Sequence, residues 1–218
     1  LKDHIVGLNC GRWDYLFSMI KCLGDKTILP DRNLLSMDQP FLEAYVNEIV
    51  TNCHRRNIHA MGGMSAFIPT LDKDTNINIL NDITKDKMLE IERGCDGAWV
   101  AHPDLIKPMQ NLFEDKLGAD NIINYSPDVI TISTDKEYDE FVTMKGDISY
   151  SETTLRNNIS ISLQYISAWM SGNGAVALNN MMEDLATSEI SVFQIKQWFN
   201  NNITIDNDYI LNREKLLE

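Results

Sequence analysis

Short apolar runs alternate with stretches of helical periodicity through residues 1–118, and this alternation limits the folds open to the chain. Ile5, Val6 and Leu8 with a glycine read as a buried strand, and Asp14-Tyr15-Leu16-Phe17 opens a helix that runs to Leu23 and ends at Gly24-Asp25. A polar loop turns at Pro30-Asp31-Arg32. Asp38, as N-cap, then precedes Phe41, Leu42, Tyr45, Val46, Ile49, Val50 and Cys53, all on one helical face. Ile58-His59-Ala60-Met61 is the next strand, closed by Gly62-Gly63. After the polar, Asn-rich residues 70–86, a helix is expected from Lys85 to Arg93. A third strand, Gly97 to Ala101, ends at His102-Pro103, and a helix follows from Asp104 to Leu117. Three successive β/α units belong to a (β/α)₈ barrel or to an open doubly wound sheet. Three cannot close a barrel, so an upstream part is expected to be missing.

Residues 119–150 mix Ile122-Ile123, Val129-Ile130-Thr131-Ile132 and Phe141-Val142 with acidic turns, a connector with little regular structure. Ser151-Glu152-Thr153-Thr154 then starts a helix carried by Leu155, Ile159, Leu163, Ile166 and Met170, which stops at Ser171-Gly172-Asn173-Gly174. Further helices are expected over 181–187 and over 191–200, the latter capped by Ser188 or Ser191. Residues 151–218 therefore read as an all-α unit. Asn212 to Glu218 carries no stop signal, so this unit is expected to be truncated.

Composition narrows the partners. The formal net charge of -13 argues against nucleic acid and anionic membrane, which reward clustered Lys and Arg. No apolar run is long enough to span a bilayer, and no basic-then-apolar leader opens the chain. Cys10, Cys22, Cys53 and Cys95 lack C-x-x-C spacing and read as buried free thiols with no catalytic role.

Chemistry concentrates where the first strand meets its helix. Gly11 permits a close approach, so the amides of residues 11 to 14 can face a carboxylate or phosphate at the helix start. Asp14 can hold a hard cation there. Equally, Asp14 can serve only as a helix cap, and Glu183-Asp184 can be an ordinary solvated helix face.

Lys2-Asp3-His4, Gly7-Leu8-Asn9 and Gly11-Arg12-Trp13-Asp14-Tyr15 together resemble the signature of malate synthases. Two later segments are similar to strand ends of that family: His59-Ala60-Met61-Gly62-Gly63-Met64, and Asp96 to Pro103, which matches Asp-Gly-x-Trp-Val-x-His-Pro. Arg156-Asn157-Asn158 and the run from Gly172 to Thr187 are similar to its C-terminal domain. Ala175 departs from the pattern, since such relatives often carry Cys there, and the connector carries no family pattern.

The resemblance implies the last β/α units of a TIM (β/α)₈ barrel at 1–118, a connector at 119–150, and a helical C-terminal plug domain at 151–218. It implies a Claisen-type condensation of acetyl-CoA with glyoxylate and water, giving malate and CoA in the glyoxylate bypass. In that scheme Asp184 is the general base. Asp14 is a ligand of Mg²⁺, and Gly11, Arg12, Trp13 and Asp14 bind glyoxylate. Trp99, His102 and Pro103, at the end of the third strand, can line the acetyl-CoA channel, or Trp99 can serve as a core residue. The family's second metal ligand, a Glu, and its enolate-stabilising Arg lie upstream of this chain, so residues 1–218 alone are expected to be inactive. The compartment implied is cytoplasmic, or peroxisomal or glyoxysomal in a eukaryote. A non-catalytic packing or assembly piece is the alternative from another class. A citrate-lyase-like acyl-CoA enzyme is the alternative within enzymes, and Trp13-Asp14-Tyr15 and Met182-Glu183-Asp184 weigh against it.

Overall fold

The computed structural model describes residues 3–124, 139–146 and 148–217. Packing divides the chain into one unit of Leu1–Arg12 with Met37–Met144 and a second of Trp13–Ser36 with Lys145–Glu218. The helix and loop that follow the first strand thus fold with the C-terminal residues, and not with the rest of 1–118 as the alternation suggests.

In the first unit β1 (Gly7–Cys10), β2 (His59–Ser65) and β3 (Gly97–Val100) form a parallel sheet in the order β1-β2-β3, with Gly7 opposite His59 and Met61 opposite Gly97. A helix follows each strand in sequence: α1 (Arg12–Leu23), α3 (Lys73–Glu92), and α4 (Ile106–Leu117), the last entered through a 3₁₀ turn at Pro103–Leu105. Between α1 and β2 runs α2 (Pro40–Arg55), which buries Phe41, Leu42, Val46, Val50 and Cys53 as its spacing requires. Its N-cap is Gln39 and not Asp38, because Pro40 fixes the first helical residue.

Three expectations change here. The run at β1 is not buried: Val6, just before the strand, is 81% exposed and Leu8 43%, so their side chains are not covered by a packed layer among the described residues. Gly62 and Gly63 do not close β2 but lie inside it. A Cβ on Gly63 would stand 2.8 Å from the Cys10 carbonyl oxygen, and one on Gly62 would collide with the Glu90 carboxylate. Close approach of neighbouring groups, and no turn, requires both glycines. Finally, α3 begins at Lys73, well before Lys85, because Asp72 caps it by accepting from the Thr75 amide at 2.9 Å. Ile77 on its early turns is 58% exposed, so the apolar stripe there is weak.

A buried ion pair and a buried His–Asp hydrogen bond tie these elements together. Lys87 Nζ lies 2.8 Å from Glu90 Oε2 and donates to the Gly63 carbonyl, while Glu90 Oε1 accepts from the Gly63 amide at 3.1 Å. Burial holds the Glu90 carboxyl above its ordinary range despite Lys87. On the other side of β2, Asp96 Oδ2 meets His54 Nε2 at 3.0 Å and accepts from the Ala60 amide at 2.8 Å, and its Oδ1 accepts from the Ile122 amide. Asp96 thereby joins α2, β2 and the start of the connector. Within that connector 125–138 and 147 lie outside the described residues, so the reading of Val129-Ile130-Thr131-Ile132 does too; Ile122 and Ile123 are irregular, and Phe141-Val142 is a turn. Cys10, Cys53 and Cys95 are buried free thiols as expected, whereas Cys22 is exposed.

The second unit is helical but not all-α. With α1 it contains α5 (Glu152–Met170), α6 (Leu185–Asn200) and α7 (Arg213–Leu217). Two antiparallel pairs interrupt them: β4 (Val176–Leu178) with β5 (Met181–Glu183), and β6 (Thr204–Ile205) with β7 (Tyr209–Ile210). Asn179 and Asn180 at φ 51 and 61, and Asp206 and Asn207 at φ 50 and 57, supply the consecutive left-handed positions that tight hairpins need. Of the helix expected over 181–187 only 185–187 are helical, as the first turn of α6, since 181–183 form β5 and Asp184 is the cap. Leu155, Trp198, Ile205 and Leu211 form the core, with Tyr150 set edge-on to Trp198 at 5.3 Å.

Helix α6 holds the loop after α1. Gln197 Oε1 accepts from the Leu29 amide at 3.1 Å, and its Nε2 donates to the carbonyls of Gly24 and Thr27. Trp198 Nε1 donates to the Leu29 carbonyl at 2.8 Å, and Gln194 donates to that of Pro30. Asp31 accepts from the Ser151 amide at 2.9 Å. These bonds are why residues 13–36 belong to the second unit.

Removing one member of a buried ion pair strands the other. Lys87→Met is expected to lower the unfolding free energy, measured by urea denaturation, by about 3–5 kcal/mol, and adding Glu90→Leu should recover most of that loss.

Candidate functional site

Helix α1 starts at Arg12, directly after Gly11, which puts Asp14 in its first turn beyond the cap position. An acid there is favoured by the helix dipole whatever else it does. Asp14 remains solvent-accessible, yet its carboxyl is held above the ordinary range. The larger cause is loss of water from surrounding atoms; the second is the like charge of Asp184. Two acids far apart in sequence therefore lie close enough within the second unit to repel. The neighbouring Tyr15 phenol is pushed up to about 12 by burial, so it is a neutral hydrogen-bonding group at any working pH.

The hairpin β4-β5 and the helix behind it position Asp184. Glu183 ends β5, and Asp184 is the N-cap of α6, in extended backbone at φ -132 and ψ -169. Its Oδ1 accepts from the Thr187 amide at 3.1 Å, and Thr187 Oγ1 accepts from the Asp184 amide at 3.0 Å, a reciprocal box. Ser188 and Ser191, the caps expected from sequence, are buried inside α6. Asp184 is half-buried and Glu183 only 3% exposed, so this pair is not a solvated helix face. The cap engages Oδ1 and leaves Oδ2 outside it.

Arg32 stands beside both acids' neighbours. Its Nη2 is 3.4 Å from Glu183 Oε2, and its guanidinium carbon lies 4.7 Å from the centre of the Trp13 ring. Sequence reasoning read Arg32 only as part of a turn and gave Glu183 no role. No spacing rule links residues so distant in sequence, but the Asp184-x-x-Thr187 pattern was a visible cap signal.

The other sequence candidates lie in the first unit. Gly11 is half-buried at the β1-to-α1 turn, and Arg12 Nη1 is 3.7 Å from Asp86 Oδ2. Trp99 is 52% exposed on β3, and its Nε1 donates to Asn9 Oδ1 at 3.1 Å. Pro103 is exposed at the head of the 3₁₀ turn, where His102 Nδ1 accepts from the Asp104 amide. As for a cation, a carboxylate oxygen is the donor magnesium prefers, and that ion is often held by one or two carboxylates with waters completing its shell. Asp14 fits as one such ligand. Among the described residues no group of three or more His, Cys, Asp or Glu side chains could hold a metal.

Residues 1–136 match the family profile described as malate synthase, TIM barrel domain, and residues 149–217 match malate synthase, C-terminal. Over 95% of its length the chain is 44% identical to malate synthase A of Escherichia coli strain K12, and over 94% it is 41% identical to malate synthase of Myxococcus xanthus. A glyoxysomal malate synthase of Candida tropicalis is 39% identical over 98% of the chain. The chain spans 39%, 38% and 39% of these proteins respectively. A solved Haloferax volcanii malate synthase, described as a pyruvate/acetyl-CoA ternary complex, overlaps 85% of this chain and 43% of its own at 14% identity and a TM-score of 0.48.

Since Asn caps a helix as well as Asp does, Asp184→Asn should leave stability nearly unchanged, whereas Asp184→Ala should lower it by about 1 kcal/mol. Thermal and urea unfolding of the two variants check this.

Proposed function

The chain belongs to the malate synthase family, and on that premise we propose that it is the part of a malate synthase that carries the general base, joining acetyl-CoA to glyoxylate. Its three parallel β/α units are then the last of a TIM barrel, followed by a helical C-terminal domain. The contacts of Arg32 with Glu183 and Trp13 carry this reading, because they set the chain neighbours of Asp184 and Asp14 close to each other, in keeping with the like charge that Asp14 feels from Asp184.

Asp184 takes a proton from the acetyl methyl group. The methyl carbon then forms a bond to the aldehyde carbon of glyoxylate, and water cleaves the thioester, releasing malate and CoA. A methyl next to a thioester is a weak carbon acid, so a fixed base with a free oxygen is worth more than a mobile one. The capping box supplies that fixity by holding Asp184 Oδ1 on the Thr187 amide. The amides of residues 11 to 14, with Arg12 and Trp13, receive the glyoxylate carboxylate at the positive end of α1. Trp99 and Pro103 serve the acetyl-CoA side. Magnesium, when bound, polarises the glyoxylate aldehyde, and Asp14 is the residue here that would hold it.

No helix among the described residues is long and apolar enough to cross a membrane. For the compartment, we favour the cytoplasm, with a glyoxysome as the eukaryotic alternative, since the Candida tropicalis relative is glyoxysomal by name.

Full-length protein bearing this chain is expected to release CoA thiol from acetyl-CoA only when glyoxylate and Mg²⁺ are both present. Thiol released equally without glyoxylate would refute the condensation. In the same assay Asp184→Asn should abolish turnover while Mg²⁺-dependent glyoxylate binding, followed by calorimetry, persists. Unchanged turnover would remove Asp184 from the mechanism.

A further inference from the structure

Arg32 links the residues next to the two acids. It faces Glu183, the chain neighbour of Asp184, and covers Trp13, the chain neighbour of Asp14. We propose that Arg32 is a positioning residue for the condensation, holding the start of α1 and the end of β5 at the separation at which Asp14 and Asp184 act together. The proposal rests on the reading of Asp184 as general base.

Three observations argue for it. First, the contact is largely removed from water, since the side chains of Arg32 and Glu183 are 13% and 3% exposed, so the pair cannot dissolve into solvent without leaving Glu183 buried and unpaired. Second, the guanidinium does two things at once. One of its nitrogens meets the carboxylate while its central carbon lies over an aromatic ring, a combination that the compact ammonium group reproduces only in part. Third, Arg32 is delivered on a stiff support, because Gln194, Gln197 and Trp198 bind the carbonyls of Thr27, Leu29 and Pro30, and Asp31 is bound to Ser151. A side chain serving only surface solubility needs no such support. Loosening it should shift each acid by a fraction of an ångström, which leaves the substrates bound but their reacting atoms misaligned.

The test uses full-length protein with Arg32→Gln, Arg32→Lys and Glu183→Gln. If Arg32 positions the acids, Arg32→Gln lowers kcat about ten- to a hundredfold, with KM for glyoxylate and acetyl-CoA kept within about twofold. Arg32→Lys should recover part of that loss through its charge, and Glu183→Gln should lower kcat in the same way. The double variant Arg32→Gln with Glu183→Gln should be little worse than the poorer single one, as expected of residues acting as a unit. Hydrogen exchange at the Thr187 amide, whose partner is Asp184, should quicken in Arg32→Gln, and this readout needs no turnover. Full kcat with unchanged exchange, or a loss carried entirely by KM, overturns the positioning role. Should Arg32→Gln fail to fold, the near-isosteric Glu183→Gln carries the same decision. A wild-type protein without glyoxylate-dependent thiol release overturns the condensation reading instead, and the exchange measurement then stands by itself on whether Arg32 holds the hairpin end.

Discussion

The second unit depends on a few side chains of α6 that reach the backbone of a distant loop. Gln194, Gln197 and Trp198 satisfy carbonyls from Gly24 to Pro30 that would otherwise be buried without partners. A polar loop whose only regular structure is two 3₁₀ turns, Gly24–Lys26 and Arg32–Leu34, is thereby tied to α6. The division of the chain follows from this, because residues 13–36 are held by hydrogen bonds from α6 as well as by their place in the sequence. So does the character of Arg32, which would be an ordinary mobile surface cation on a loose loop.

In the proposed reaction Asp184 would serve both architecture and chemistry. Its first carboxylate oxygen closes the capping box that starts α6, and the second is outside that box. Rotating the carboxylate would expose the amide of Thr187, so the cap restrains the group without consuming it. Asp14 has the complementary setting: it is accessible, favoured by the dipole of α1, and raised by lost hydration and by the charge of Asp184. A cation held beside these two acids would relieve the repulsion between them.

The sequence disclosed most where periodicity and punctuation agreed. The alternation of strands and helices, the extent of α1 with its stop at Gly24, and the start of α5 at Ser151 were all legible. It misled where a local signal had a distant cause. Gly62 and Gly63 look like a turn, but the Cys10 carbonyl and the Glu90 carboxylate that exclude side chains there belong to other elements. Met181-Met182-Glu183 looks helical because its pairing with Val176 to Leu178 is invisible to a periodicity count, although Asn179-Asn180 marked the hairpin between them. Of the candidate site, Asp14 stood out by its place at the turn into α1, as a cation ligand or a helix cap, whereas Asp184 was found through family resemblance alone. Arg32 and Glu183 escaped because a contact between a loop and a hairpin leaves no pattern in the spacing of either.

The uncovered edge of β1 bears on how the polypeptide can be handled. Leu8 on the strand and Val6 just before it present apolar side chains beside an edge that has no neighbouring strand among the described residues. An open edge of this kind is a place where a second strand can add without touching the candidate site. A lysine placed at Leu8 would discourage such pairing.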